Sequence, residues 1–224
     1  ETKHGVLTYN GEIFNYADLI KETDWIPQTT CDTEYLSHAL GTMPYETVNE
    51  KIDSMHAYAY YRKATKHLIL SRDHVGIKPL YYAEIPQGLV FGSEIKGIID
   101  KVPNGRCIDD FAAAAMSYSG INATRNTLFK NIKKVMPGET LVYDVANKRF
   151  IGSSKQIIVP TSKSKFNAEQ FRHEAHETVK MCTLGMRKFG VFLSGGLDST
   201  LVAYELKKIL GEVDSFTNEM DPNV

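Results

Sequence analysis

Cysteine is scarce in this chain: Cys31, Cys107 and Cys182 are the three present among 224 residues. They are widely separated, odd in number and lack metal-site spacing, which excludes a disulfide framework and makes a reducing cytosol the simplest setting. No apolar run approaches the length of a membrane-spanning helix, and the N-terminus lacks the basic-then-apolar layout of a signal peptide. Net charge is equally scarce. Lys and Arg total 26 against 27 Asp and Glu, leaving -1, so nothing electrostatic calls for nucleic acid or an anionic membrane as partner. His4, His56, His67 and His74 share no zinc-ligand spacing and read as non-ligands. No internal repeat is evident, and the first residue is Glu1 rather than Met, the mark of a processed chain or of a piece of something longer.

What is present is ordinary globular material. Hydrophobic residues make up 42% and charged residues 24% of a length that suits one large or two modest domains. The stretch Gly152 to Lys165, rich in Ser and Lys and without periodicity, reads as a boundary between domains spanning 1–155 and 166–224.

In the first block, Asn10-Gly11 between apolar flanks is by itself a type I′ hairpin signal. Tyr16, Leu19 and Ile20 begin a helical pattern. Tyr35, Leu36, Ala39 and Leu40 form the stripe of a second helix, opened by Asp32, which can cap that helix or stand as a carboxylate at a ligand pocket. Two β-like runs, 56–61 and 67–70, flank a basic turn, and their alternating tyrosines read as sheet residues. Arg72 and Asp73 read as a surface pair of little energetic value. Ile108, Phe111, Ala112, Ala115 and Met116 predict an amphipathic helix, and residues 127–145 a turn, a Pro137-Gly138 bend and a strand.

In the second block, Asn167 to Gln170 has the layout of a capping box, and Phe171, Ala175, Thr178, Val179 and Cys182 stripe the helix it opens. Val191, Phe192 and Leu193 then suit a strand buried on both faces, followed at helical spacing by Leu201, Val202, Leu206 and Ile209. Between strand and helix stands Ser194-Gly195-Gly196-Leu197-Asp198-Ser199. Its glycines let backbone N–H groups converge at a helix N-terminus, which favours an anion such as pyrophosphate. Ser194, Ser199 and Thr200 add hydroxyl donors, and Asp198 is an oxygen ligand suited to Mg²⁺. No Lys follows the glycines, so this is not a Walker A loop. The string resembles the pyrophosphate loop of the ATP pyrophosphatase families. One strand, one helix and a further short run at Val213 to Thr217 cannot cover both faces of a parallel sheet, so 166–224 reads as the opening of a larger α/β domain.

Taken in order, Asn10-Gly11-Glu12-Ile13-Phe14-Asn15, Asp32-Thr33-Glu34, Arg72-Asp73 through Gly76 to Tyr81, Ser93-Glu94-Ile95-Lys96, Thr127 to Lys130, Pro137-Gly138 and then the Ser194 to Ser199 loop resemble the glutamine-hydrolysing asparagine synthetases. The resemblance implies an α+β fold. It consists of a four-layer α/β/β/α sandwich of the N-terminal-nucleophile type, carrying a class II glutaminase, followed by the beginning of an α/β parallel-sheet ATP pyrophosphatase domain. It further implies the small molecules glutamine, aspartate and ATP as partners, ATP and Mg²⁺ as cofactors, a cytoplasmic enzyme, and room for a homodimer. Ammonia from glutamine would reach a second site where aspartate is held as an acyl adenylate. By the same resemblance Asn10 and Gly11 match the oxyanion-hole pair, a kind of contact worth roughly 3 kcal/mol, and with Glu12 and Asp32 they bind glutamine. Leu193, Ser194, Gly195, Gly196, Asp198 and Ser199 match the ATP site, with Asp198 on the metal.

Some of the pattern departs from the family. The nucleophilic Cys that should open the mature chain and the Arg that should clamp the glutamine carboxylate are not in these 224 residues. Cys31, Cys107 and Cys182 have their nitrogens in peptide bonds and so lack the free α-amine that serves as base; as written, the chain is expected not to hydrolyse glutamine. Met186-Arg187-Lys188 stands where the family has Asp-Val-Pro, and Ser54-Met55-His56 where it has Gly-Met-Phe. Two other readings stay open: a relative such as a β-lactam synthetase with an inactive glutaminase domain, and a non-catalytic domain of the same fold.

Overall fold

The first strand, β1 (Gly5–Ile13), turns Leu7, Tyr9 and Ile13 to one side and leaves Thr8 and Asn10 exposed on the other, the period of a half-buried strand. It leads into α1 (Tyr16–Lys21), α2 (Asp32–Thr42) and α3 (Tyr45–Lys51). Next come β2 (Ser54–Arg62), β3 (His67–Arg72), β4 (Tyr81–Ile85) and β5 (Gly88–Gly92), then two 3₁₀ turns, Ile95–Gly97 and Ile99–Lys101. Helix α4 (Asp110–Ser119) and strands β6 (Lys133–Lys134), β7 (Glu139–Asp144) and β8 (Arg149–Lys155) follow. The computed structural model describes residues 1–158, 165–184 and 188–218. The chain divides into two units, Glu1–Val159 and Pro160–Val224.

The first unit is layered. Among the described residues, β1-β2-β3-β7-β8 form an antiparallel five-stranded sheet and β5-β4-β6 an antiparallel three-stranded one. One face of the larger sheet, with Tyr58, Tyr60 and Ile69, packs on Tyr35, Leu36, Ala39 and Leu40 of α2 and Val48 of α3. Fully burying side chains such as Leu36 and Leu40 stabilises by about 2 kcal/mol each. Its other face, with Ala57, Ala59 and Leu70, meets Leu80 and Tyr82 beside the smaller sheet. The far side of that smaller sheet is covered by Ile98, Ile99 and Val102 around the 3₁₀ turns. The order is helices, sheet, sheet, helical turns, the α/β/β/α sandwich of an α+β fold.

In the second unit, α5 (Ala168–Cys182) precedes β9 (Gly190–Phe192), α6 (Leu197–Leu210) and β10 (Asp214–Phe216), with β9 and β10 pairing in parallel. Asn167 Oδ1 accepts from the backbone N–H groups of Glu169 and Gln170, while the Gln170 side chain reaches forward to Glu174, so half of the capping box forms.

Four expectations are corrected. Asn10-Gly11 makes no hairpin: both sit inside β1, opposite Ala57 and His56 of β2, because continuous ladder pairing outweighs the local turn preference. The stripe predicted around α4 is not a core face. Ala112 is its buried residue, Phe111 and Met116 are exposed, and Ile108 lies before the helix in a bridge to Phe129. Strand β9 is not buried on both faces, since Val191 is covered but Phe192 is 85% exposed beside Phe216. Arg72 and Asp73 are no surface pair: Asp73 is 1% exposed, and Arg72 donates to backbone carbonyls instead. Met186 and Arg187 lie outside the described residues.

Candidate functional site

Asn10, Gly11 and Glu12 lie in the second half of β1. Because side chains alternate along a strand, Asn10 points away from the helical layer and its Nδ2 donates to Ser93 Oγ at 3.4 Å. Both line a cleft of about 120 Å³ together with Ala57, Leu80 and Phe91. Gly11 has no room for a side chain: a Cβ there would stand 2.2 Å from the Met55 carbonyl oxygen. Glu12 lies opposite Met55 in the ladder.

Asp32 opens α2, but Cys31 is the N-cap and caps nothing with its side chain. The carboxylate reaches back to β1 instead. Its Oδ2 accepts from the Tyr9 hydroxyl at 3.2 Å and from the Ile13 N–H at 3.0 Å. Asp32 is thereby tied to the strand that carries Asn10, Gly11 and Glu12. Burial first, then the charge and hydrogen bond of Asp32, pushes the Tyr9 phenol well above its ordinary range, so it stays a donor.

In the second unit the loop after β9 forms its own hydrogen-bonded knot. Leu193 N–H donates to the Phe216 carbonyl at 2.8 Å. Ser194 Oγ lies 3.0 Å from Ser199 Oγ and accepts from Gly196 N–H at 3.4 Å, while Ser199 and Thr200 hydroxyls donate to the Gly196 carbonyl. Gly195 adopts φ +78° with open space around it, and Gly196 is the N-cap of α6. Asp198 is exposed in the first turn. The first N–H groups of a helix have no intrahelical acceptor, so this end suits an anion.

A family model described as glutamine amidotransferase domain matches residues 1–153. The chain belongs to the glutamine amidotransferase domain family. Residues 170–223 match a second family model, asparagine synthase. The chain is similar to putative asparagine synthetase [glutamine-hydrolyzing] 2 of Methanocaldococcus jannaschii, 28% identical over 203 residues, covering 88% of this chain and 39% of that protein. It is also similar to asparagine synthetase [glutamine-hydrolyzing] 2 of Bacillus subtilis, 30% identical over 217 residues, covering 89% of this chain and 28% of that protein. The chain thus spans well under half the length of these relatives. Among solved structures it aligns with a glutamine phosphoribosylpyrophosphate amidotransferase from Bacillus subtilis at 16% identity and TM-score 0.45, over 97% of this chain and 46% of that one.

Within the amidotransferase unit, sequence reasoning missed the polar core behind β1. Asp73 is 1% exposed, and its carboxylate accepts from the backbone N–H groups of Gly76 at 2.6 Å, Ile77 at 2.9 Å, Lys78 at 3.0 Å and His56 at 3.3 Å. Burial alone would raise its pKa; those backbone donors outweigh it and hold the carboxyl below its usual range. Arg72 turns elsewhere, donating to the carbonyls of Gly76, Lys78 and Val135. Next to Asp73, the buried ring of His56 touches Ser54 Oγ at 2.8 Å and Ser71 Oγ at 3.4 Å. Burial drives its pKa down to about 4, against the pull of Asp73, so the ring is neutral near pH 7. The one available signal was the Gly76 to Tyr81 string, whose glycine sits at φ +78°.

Among the described residues no group of three or more His, Cys, Asp and Glu could hold a metal ion by itself. No helix there is long and apolar enough to cross a membrane.

Proposed function

We propose that this chain supplies the glutamine-handling domain and the start of the ATP site of a glutamine-dependent asparagine synthetase. What carries the reading is one chain in which residues 1–153 and 170–223 match the glutamine amidotransferase and asparagine synthase families in that order.

In the first unit, Asn10 Nδ2 and the Gly11 N–H are the donors for the oxyanion formed when glutamine's side-chain amide is attacked. Such donors act by being in place before charge develops. Glu12 and Asp32 bind the polar groups on the amino-acid end of glutamine. Cys31, Cys107 and Cys182 are exposed thiols without a free α-amine, so none serves as the nucleophile.

In the second unit, Ser194, Gly195, Gly196 and Ser199 hold the pyrophosphate of ATP, and Leu193 borders its adenosine part. The open space at Gly195 and the exposed Ser194 hydroxyl suit phosphate oxygens. Asp198 would hold Mg²⁺, an ion commonly bound through one or two carboxylates together with substrate phosphates. When bound, that ion neutralises charge on the phosphates as aspartate is adenylated. The same reading puts the protein in the cytoplasm and is compatible with a homodimer, which sedimentation reads directly.

The deciding experiment is ATP–pyrophosphate exchange driven by aspartate in the full-length protein. Exchange that disappears in Asp198→Asn, with glutamine handling retained, is the expected result. Exchange supported by another small carboxylate and not by aspartate reassigns the substrate, and exchange with none sinks the reading.

A further inference from the structure

We propose that Tyr9 is a positioning residue that fixes the rotamer of Asp32 and so presents Asp32 Oδ1 to the α-ammonium group of a bound amino-acid amide. The inference rests on the reading of Asp32 as a glutamine-binding carboxylate.

Three features carry it. First, the two oxygens of Asp32 are not equivalent. Oδ2 accepts from two groups of β1, the Tyr9 hydroxyl and the Ile13 N–H, whereas Oδ1 is met by the adjacent side chains Thr33 at 3.3 Å and Cys31 at 3.7 Å. Each oxygen thus has two donors, but those on Oδ1 are the longer pair, a neighbouring hydroxyl and a thiol, so an outside donor competes best there. Second, Tyr9 is held at its ring end. It packs among the cluster of Ile13, Tyr35 and Leu36, so its hydroxyl arrives at Asp32 on a rigid lever with little entropy left to lose. Third, Tyr9 precedes Asn10 in the same strand and faces the opposite side. One rigid segment thus sets both the amide donor at Asn10 and, through the phenol, the carboxylate at Asp32.

A phenol that merely filled the core would matter for stability and not for ligand choice. The test is titration calorimetry on the full-length protein with two probes: L-glutamine, and 4-carbamoylbutanoate, which lacks only the α-ammonium. Tyr9→Phe keeps the ring and is expected to weaken glutamine about tenfold, the scale of one hydrogen bond to a charged group, while leaving 4-carbamoylbutanoate unchanged. In an Asp32→Asn background, Tyr9→Phe should have no further effect on glutamine. Equal weakening of both probes by Tyr9→Phe, or no weakening of glutamine where Asp32→Asn does weaken it, overturns the positioning role. Glutamine binding that is absent in the unsubstituted full-length protein, or unchanged in Asp32→Asn, overturns instead the reading of Asp32 on which it stands.

Discussion

His176 Nδ1 lies 2.7 Å from Glu205 Oε2, joining α5 to α6 in the second unit. Glu205 is among the buried residues of α6, and Lys208 adds a cation at 3.2 Å. The hydrogen bond from His176, ahead of the opposing effect of burial and with help from Lys208, holds the Glu205 carboxyl below its usual range. A depressed carboxyl contributes stability that is present above its unfolded pKa and lost as pH falls through the folded value. Acidification below about 4.3, the ordinary glutamate value, should therefore lower amide-exchange protection in α6. Glu205→Gln should lower it already at neutral pH and flatten the acid response. Unchanged protection factors would remove the pair from any account of the unit's stability.

The buried His56 predicts an acid-sensitive first unit. Its pKa is about 4 in the folded chain against an ordinary 6.5. The unfolded chain thus takes up the proton first as pH falls, and stability declines from pH 6.5 down to about 4, by roughly 3 kcal/mol in total. Urea unfolding followed across that window should show the decline, and His56→Gln should be less steep. Parallel curves for the two proteins would show that His56 does not titrate in this way.

Replacing Asp73 by Asn keeps the shape and removes the charge that gathers the N–H groups of Gly76, Ile77, Lys78 and His56. An amide offers one oxygen to these donors and an NH₂ that faces others. The expected loss is about 3 kcal/mol of unfolding free energy, read by denaturant titration. A loss below about 0.5 kcal/mol, the range of an ordinary surface change, would return Asp73 to the surface-pair reading.

Two glycine substitutions should separate by mechanism. At Gly11 the obstacle is backbone, the Met55 carbonyl 2.2 Å from the new Cβ, so Gly11→Ala should cost about 3 kcal/mol and loosen β1 from β2. At Gly195 there is open space and only the positive φ of +78° resists, so Gly195→Ala should cost about 1 kcal/mol while weakening ATP binding. Thermal unfolding together with nucleotide titration checks both. The reverse ranking in stability would contradict the packing at β1.

Much of this protein was legible in its sequence. Tyr35, Leu36, Ala39 and Leu40 announced α2 because helical periodicity is a local property, and they are buried where that stripe requires. The Ser194 to Ser199 string announced a strand-to-helix turn for the same reason, and Gly196 caps α6 there. What periodicity could not assign is the fate of each polar group. Asn10-Gly11 had every local feature of a hairpin, and only pairing with Ala57 and His56 made it strand. Asp32 and Asp73 are alike in sequence, each a carboxylate beside a polar neighbour. Yet one is tied to Tyr9 and Ile13 of β1, and the other is sealed among the backbone N–H groups of Gly76 to Lys78 with His56 from β2. Short-range pattern determines which elements form, because it is decided by neighbours along the chain. Burial, hydrogen-bond partner and pKa are decided by neighbours across it, and those exist only once the sheets and helices have packed.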